Sequence, residues 1–353
     1  MNNTSAATDI LIIGAGLTGL TLARNLEEQG KQYLVLEARD RLGGRIHTHQ
    51  SDNGPKVELG ATWFFPNFKN LFKLLKSINV DLKEQFMKGY TMYEYDETEK
   101  PRRIYSGADN DMFRITGGTS NIIQSLYNNI NQQNILLSKK VQKISQTSSG
   151  LDVVLDDGSV INSNYVVSTI PPQLLYHSVQ FEPQLPENVS RTMKQTHTWM
   201  GDSVKATVTY DKAWWKDKGL SGGLYSNNGP VVQMYDQSDE HGAALVGFLD
   251  DSTADMSESQ RHQAVIDQLV RVFGEEARDY KEYRDTAWKH EQFTMPPGVP
   301  RLGRHSNVGN RVYQEPYLGG RLYIGGTETS SHAGGFMEGA VYSANMIANK
   351  LAN

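Results

Sequence analysis

The chain has 353 residues, no cysteine, and a formal charge of −5 from 35 Lys and Arg against 40 Asp and Glu. That length suits two or three domains and a core needing no staples, and the missing thiols exclude disulfides, thiolate metal sites and a Cys nucleophile. The weak acidity gives no footprint for nucleic acid.

The start, MNNTSAATD, is polar and reads as a frayed leader rather than a signal peptide. Without an export signal, the glycosylation patterns at Asn2-Asn3-Thr4 and Asn188-Val189-Ser190 read as chance, and a cytoplasmic location is expected. Residues 9–13, DILII, are a short apolar run of the kind buried on both faces of a parallel sheet. A helical pattern follows from Leu17 to Gln29 with Gly30 as its stop, and YLVLE at 33–37 reads as a second strand. Phe68, Leu71, Leu75 and Ile78 share one helical face, which predicts an amphipathic core helix within 67–86. Strands and loops are expected over 90–113 and a helix over Thr119–Ile130. Asp157-Gly158 between alternating segments predicts a hairpin in 151–169. Further strands are expected at 204–210, 231–235, 244–249 and 322–326. Ser257 and Gln260 make a capping-box pattern before a helix ending near Gly274, and a last helix runs from Met337 to Leu351. No run of about 18 apolar residues spans a membrane.

Gly14-Ala15-Gly16-Leu17-Thr18-Gly19 is a G-x-G-x-x-G turn between a strand and a helix. Its glycines allow a tight turn, a close backbone approach to a pyrophosphate, and close helix–strand packing, while the helix N-terminus offers free N–H groups. Glu37, 18 residues after Gly19 at a strand end, can accept both hydroxyls of a ribose. This spacing does not separate FAD from NAD.

The next segment does. Glu37-Ala38-Arg39-Asp40-Arg41-Leu42-Gly43-Gly44-Arg45 resembles the glycine-doublet motif of flavin-containing amine oxidases of the monoamine and polyamine oxidase kind. The resemblance extends along nearly the whole chain: Glu58 to Trp63, Ile115 to Gly118, Val141, Ser168 to Pro172, Phe181-Glu182-Pro183, Gly325 to Thr329, and Gly335 to Ala340. It implies an α/β fold, with a Rossmann-like FAD-binding domain of parallel sheet plus hairpin and meander, and an interleaved α+β substrate domain of reduced size. The expected division is 1–64, 115–172 and 296–353 for FAD, and 65–114 and 173–295 for substrate. The resemblance implies cofactor contacts at Gly14, Ala15, Gly16, Gly19, Glu37, Arg39, Gly44, Arg45, Ala61, Thr62, Val141, Gly326, Glu328 and Met337. Arg45 would meet the phosphates, Val141 the adenine, Glu328 the ribityl or pyrophosphate portion, and the Met337 backbone the pyrimidine edge. Lys205, on a strand ten residues before Trp215, matches the family's flavin-site lysine, whose amine holds a water near flavin N5.

The reaction so implied is hydride transfer from the carbon beside an amine nitrogen, with O2 as acceptor and H2O2 and an imine or carbonyl compound as products. Two departures bear on it. The loop that carries a second flanking aromatic, and in some members a flavin-linking Cys, is missing before Met295-Pro296-Pro297-Gly298, so FAD is expected to be non-covalent, with Phe293 as a substitute aromatic beside Phe336. The stretch between Trp63 and Ile115 is only about fifty residues, so the pocket is open, completed by a partner subunit in a homodimer, or shaped for another substrate. A desaturase, oxidase or isomerase acting on a non-amine substrate, or a flavoprotein that binds without turnover, are the alternatives. Trp63 and Phe336 are expected in the pocket, and Trp199 in the core. His47 and His49 alternate on a strand without further ligands, and no metal is expected.

Overall fold

The computed structural model describes residues 6–52, 54–96, 98–105 and 111–352. The glycosylation pattern at Asn2 and most of the polar leader lie outside them. The strand Ala6–Ile13 runs parallel to Tyr33–Leu36 on one side and to Val160–Ser168 on the other. Its alternating side chains enter different cores. Ile10 and Ile12 pack with Leu20, Ala23 and Leu26 of the helix Leu17–Glu28 and with Ala344 of the helix Met337–Ala352. Leu11 and Ile13 pack on the opposite face with Leu175, Val189 and Met193. Burial on both faces is what makes the run continuously apolar.

Leu151–Leu155 pairs antiparallel with Val160–Ser168, and Val141–Gln146 with Leu151–Leu155. Leu322–Ile324 lies parallel to the end of Val160–Ser168. Ser168 is in register with both Ile13 and Ile324, and Ile13 with Leu36. Four parallel strands therefore end at one edge, where Gly14, Glu37, Thr169 and Gly325 follow. Ligands of open α/β sheets bind at such an edge.

A second sheet has seven strands in the order Glu282–Ala287, Val204–Tyr210, Ala243–Leu249, Val231–Asp236, Leu220–Ser226, Tyr90–Glu94, Arg102–Tyr105. The helix Glu258–Phe273 covers one face through Val265, Leu269 and Phe273. It starts at a complete capping box of Ser257 and Gln260 and stops at Gly274, whose φ of 110° suits glycine. The strand Arg102–Tyr105 is the sheet edge, and all four of its residues are exposed.

Two stretches differ from expectation. Within 67–86 the helix covers only Lys69–Ser77, although Phe68, Leu71, Leu75 and Ile78 are all buried. Asn79, at φ 54°, turns the chain out of the helix, and Leu82–Glu84 pairs with the distant Phe113–Ile115. Residues 173–194, assigned by expectation to the substrate domain, pack on the first sheet: Gln180–Glu182 adds to its edge, and Leu175, Val189 and Met193 fill its core. The second glycosylation pattern falls on the helix Glu187–Lys194, with Val189 buried. Among the described residues, no helix is long and apolar enough to cross a membrane.

Candidate active site

A cavity of about 1140 Å³ runs from the edge where the four strands end to the open face of the second sheet. Its first half is a bare-backbone cradle. A side chain at Gly19 would stand 1.9 Å from the Gly14 carbonyl, so Gly19 serves close helix–strand packing. At Gly16 the nearest atom to an added Cβ lies 3.9 Å away, so protein packing does not demand glycine there. Gly16 instead lines the cavity at the start of the helix Leu17–Glu28, where unpaired N–H groups collect. Glu37 stands beside it, nearly fully buried, accepting from the N–H groups of Ala15 and Arg39, each at 2.9 Å. A backbone kept bare where only a ligand would be touched, a helix N-terminus and a buried carboxylate fit the pyrophosphate and ribose of FAD.

Of the residues expected at the cofactor, Gly14, Gly16, Glu37, Arg39, Gly44, Arg45, Ala61, Thr62, Val141 and Met337 line the cavity. Ala15, Gly19, Gly326 and Glu328 stand behind this wall. The Arg45 fork is directed at Glu328 rather than left free for phosphates. Its two terminal nitrogens meet the two carboxylate oxygens, Nη2 to Oε2 at 2.9 Å, and Nη1 also donates to the Trp199 carbonyl at 2.7 Å. Glu328 is fully buried and accepts from the Trp199 N–H at 3.2 Å, so it orients Arg45 and Trp199 from behind. Arg39 is tied to the segment before Pro296, donating to Thr294 Oγ1 at 2.9 Å.

That segment answers the expectation for Phe293. Its ring lies under the Arg39 guanidinium, 5.5 Å away, at the Glu37 end of the cavity. The rings around Phe336 are Phe68 at 5.6 Å, Trp199 at 5.8 Å and His305 at 6.4 Å. Trp199, expected in the core, lines the cavity and stacks on His305 at 5.1 Å. More than a hundred residues separate Phe68 from Trp199 and Trp199 from His305, so no local pattern could bring them together.

Lys205 stands behind the wall at the other end of the cavity, where its neighbours Thr62, Trp63 and Phe248 line the space. Its strand, Val204–Tyr210, is buried throughout, and Lys205 itself is fully buried. The amine donates to Thr62 Oγ1 at 2.9 Å and lies 4.0 Å from the Trp63 ring and 4.2 Å from the Phe248 ring. Burial pulls its pKa down to about 7, against the opposing pull of Glu58. Glu58 is equally buried, and burial pushes its carboxyl up to about 7, partly offset by donors at Thr119 and Thr48. Phe248 is the cross-strand partner of Lys205, and Tyr235 packs edge-on to Trp63 at 5.0 Å. Phe248, Tyr235, Gln233 and Glu58 were missed as site residues. Strand alternation places Phe248 on one face of its sheet, but only the pairing with Val204–Tyr210 puts it beside Lys205.

A smaller cavity of about 700 Å³ shares Phe65 and Phe336 with the first and carries the exposed His332 at its wall. His47 is held neutral, its pKa lowered to about 4 by burial and by Arg41. His49 meets Glu282 at 3.2 Å, and no cluster of metal-ligating side chains occurs among the described residues.

A dinucleotide cradle joined to an aromatic chamber with a buried lysine defines a flavin-dependent oxidoreductase. The family model described as flavin containing amine oxidoreductase matches residues 17–104 and 96–352, and the chain belongs to that family. FAD is its cofactor. The probable flavin-containing monoamine oxidase A of Dictyostelium discoideum is 29% identical, with 98% of each chain covered. The flavin-containing amine oxidase B of Sus scrofa is 23% identical over 98% of this chain and 86% of its own. The alignment with the Dictyostelium protein runs over 461 positions, so the residues this chain lacks are internal. Among solved structures, putrescine oxidase bound to putrescine superposes with a TM-score of 0.86 at 19% identity, covering 98% of this chain and 99% of its own. Cyclohexylamine oxidase from Brevibacterium oxydans IH-35A gives 0.85 at 20% identity, covering 98% of each chain. These two likenesses establish the fold.

Proposed function

We propose that the chain oxidises an apolar monoamine, with O2 as electron acceptor and an imine and H2O2 as products, the imine then hydrolysing to a carbonyl compound and ammonia, or a smaller amine where the substrate nitrogen is substituted. The observation that carries this reading is the fully buried Lys205, set directly behind Thr62, Trp63 and Phe248, which line an aromatic chamber. FAD, when bound, accepts the hydride. Gly14, Gly16, Glu37, Arg39, Gly44, Arg45, Ala61, Thr62, Val141 and Met337 would hold it without a covalent bond to sulfur, with Ala15, Gly19, Gly326 and Glu328 supporting from behind. The first-sheet segments, 1–64, 115–172 and 296–353, form the cofactor domain, and the remainder forms the substrate domain, with 173–194 packed on the former.

The chamber walls select the reactive form of the substrate. Trp63, Phe65, Met112, Trp199, Tyr235, Phe248 and Phe336 line it, and Glu37, at the far end, is the one acidic residue among the described residues lining the whole cavity. A desolvated chamber without a carboxylate favours the neutral amine over the ammonium ion, and the neutral lone pair is what assists hydride loss. A second ammonium, as in a diamine, finds no acidic partner on this wall. Lys205 can take or give a proton at its Nζ near neutral pH.

The test is anaerobic mixing of the FAD-loaded protein with a panel of arylalkyl, cycloalkyl and linear monoamines and diamines, read by bleaching of the flavin absorbance. Apolar monoamines should bleach it fastest and diamines slowest. A flavin that stays oxidised with every amine yet is reduced by a non-amine hydride donor overturns the reading.

A further inference from the structure

The turn that leads into the strand Val204–Tyr210 holds a conformation its residues do not favour. Met200 has a φ of 70°, in the left-handed region that a non-glycine residue keeps only where its surroundings over-determine it. Trp199 and Met200 both line the cavity, so this turn is part of the chamber wall. Two bonds close it: the Gly201 N–H donates to the Thr198 carbonyl at 3.0 Å, and the Ser203 N–H to the Met200 carbonyl at 2.9 Å. The turn is shut on the side of Gly201, where an added Cβ would stand 2.3 Å from Met295 Sδ.

Both bonds are internal to the turn. What holds the Trp199 backbone from outside is an ion pair. The Trp199 N–H donates to Glu328 Oε1 at 3.2 Å, and the Trp199 carbonyl accepts from Arg45 Nη1 at 2.7 Å. The same Nη1 meets Oε1 of Glu328, and Nη2 meets Oε2 at 2.9 Å. One ion pair therefore grips the donor and the acceptor of a single residue. The Trp199 carbonyl lies in the peptide plane that contains the Met200 nitrogen, and φ of Met200 is the rotation out of that plane. Fixing the plane fixes the strained angle. The ring of Trp199 is held separately, by His305 at 5.1 Å and Phe336 at 5.8 Å, and these contacts leave the peptide free. Arg45 lines the cavity beside Gly44, so the cofactor half and the amine half share the clamp.

We infer that Arg45 and Glu328 are positioning residues for substrate selection: by gripping the Trp199 backbone they keep Met200 in its strained turn, and so set where Trp199 and Met200, as specificity-determining residues, stand in the chamber wall. The inference rests on the reading that the chamber takes the amine, but its first test does not pass through turnover.

That test is NMR of protein carrying fluorotryptophan and methyl-labelled methionine, FAD-free and FAD-loaded. The signals are assigned by their loss in Trp199→Phe and Met200→Leu. Glu328→Gln still accepts from the Trp199 N–H but removes the charge that orients Arg45, and should shift both signals. Arg45→Lys replaces the fork by a single point donor and should do the same, which serves also if Glu328→Gln does not fold. Glycine adopts a φ of 70° without strain, so in a Met200→Gly background either variant should shift the Trp199 signal less. Signals that stay put in every folded variant overturn the inference, as does a Trp199 shift as large with Met200→Gly as without it. In FAD-loaded Trp199→Phe and Met200→Leu, the ratio of flavin bleaching rates with cycloalkyl and linear monoamines should change severalfold, and an unchanged ratio in both overturns their role in selection. If the signals move as stated while no amine reduces the flavin, the amine oxidase reading falls and the clamp on the turn stands.

Discussion

At Lys205 an amine is buried that an ordinary strand would leave in water, and the consequence is chemical rather than structural. Burial favours the neutral form, so the proton is absent above about pH 7 and present below. If Lys205 moves a proton during turnover, the rate with a good amine substrate should rise as pH rises through about 7. Lys205→Met should lose that limb and slow turnover by about 10²-fold, as measured by stopped-flow of the reductive and oxidative halves separately. The two aromatics whose placement differed from expectation make a second pair of tests. Trp199→Ala should raise KM for the amine, because Trp199 lies against Phe336. Phe293→Ala should leave that KM unchanged and weaken FAD binding, because its ring supports Arg39 at the opposite end. Both are read from steady-state kinetics and flavin titration.

Among the elements, the short helix Lys69–Ser77 depends on a side chain from the other end of the chain. The fully buried carboxylate of Glu338 accepts from the N–H groups of Asn70 at 3.1 Å and Leu71 at 2.8 Å, and from Asn70 Nδ2 at 2.7 Å. These are first-turn donors with no partner inside the helix. Glu338→Ala should therefore cost about 2–3 kcal/mol in urea unfolding and loosen Phe68 from Phe336. The same helix shows the reach of sequence reading. Its buried positions are a local 3.6-residue pattern and were legible, as were the glycine turn, the capping box at Ser257 and the stop at Gly274. Its end was not, because the pairing of Leu82–Glu84 with Phe113–Ile115 is set across the fold. The cofactor cradle was legible because its parts are contiguous motifs. The chamber was legible only in Trp63 and Phe336, because Trp199, Tyr235 and Phe248 join its wall only through the folding of distant segments.

Across the whole molecule, the cavity is walled by both sheets, so a ligand filling it ties them together. FAD at a hundredfold excess over its Kd should add about 2.7 kcal/mol to stability, seen as a rise in the melting temperature of FAD-free protein on titration. An unchanged melting temperature would mean that the cradle does not hold it. At the far side of the second sheet, the exposed edge strand Arg102–Tyr105 has one strand neighbour among the described residues. Ile104 and Tyr105 make it a template for another strand, and Arg103 opposes that by repulsion between copies, the Arg102 charge being met by Glu99. Repulsion of this kind is screened within about 10 Å at 0.1 M ionic strength. The protein's colloidal behaviour should thus invert the usual laboratory habit: concentrated stocks keep best in dilute buffer, and added salt promotes sheet-to-sheet association at this edge.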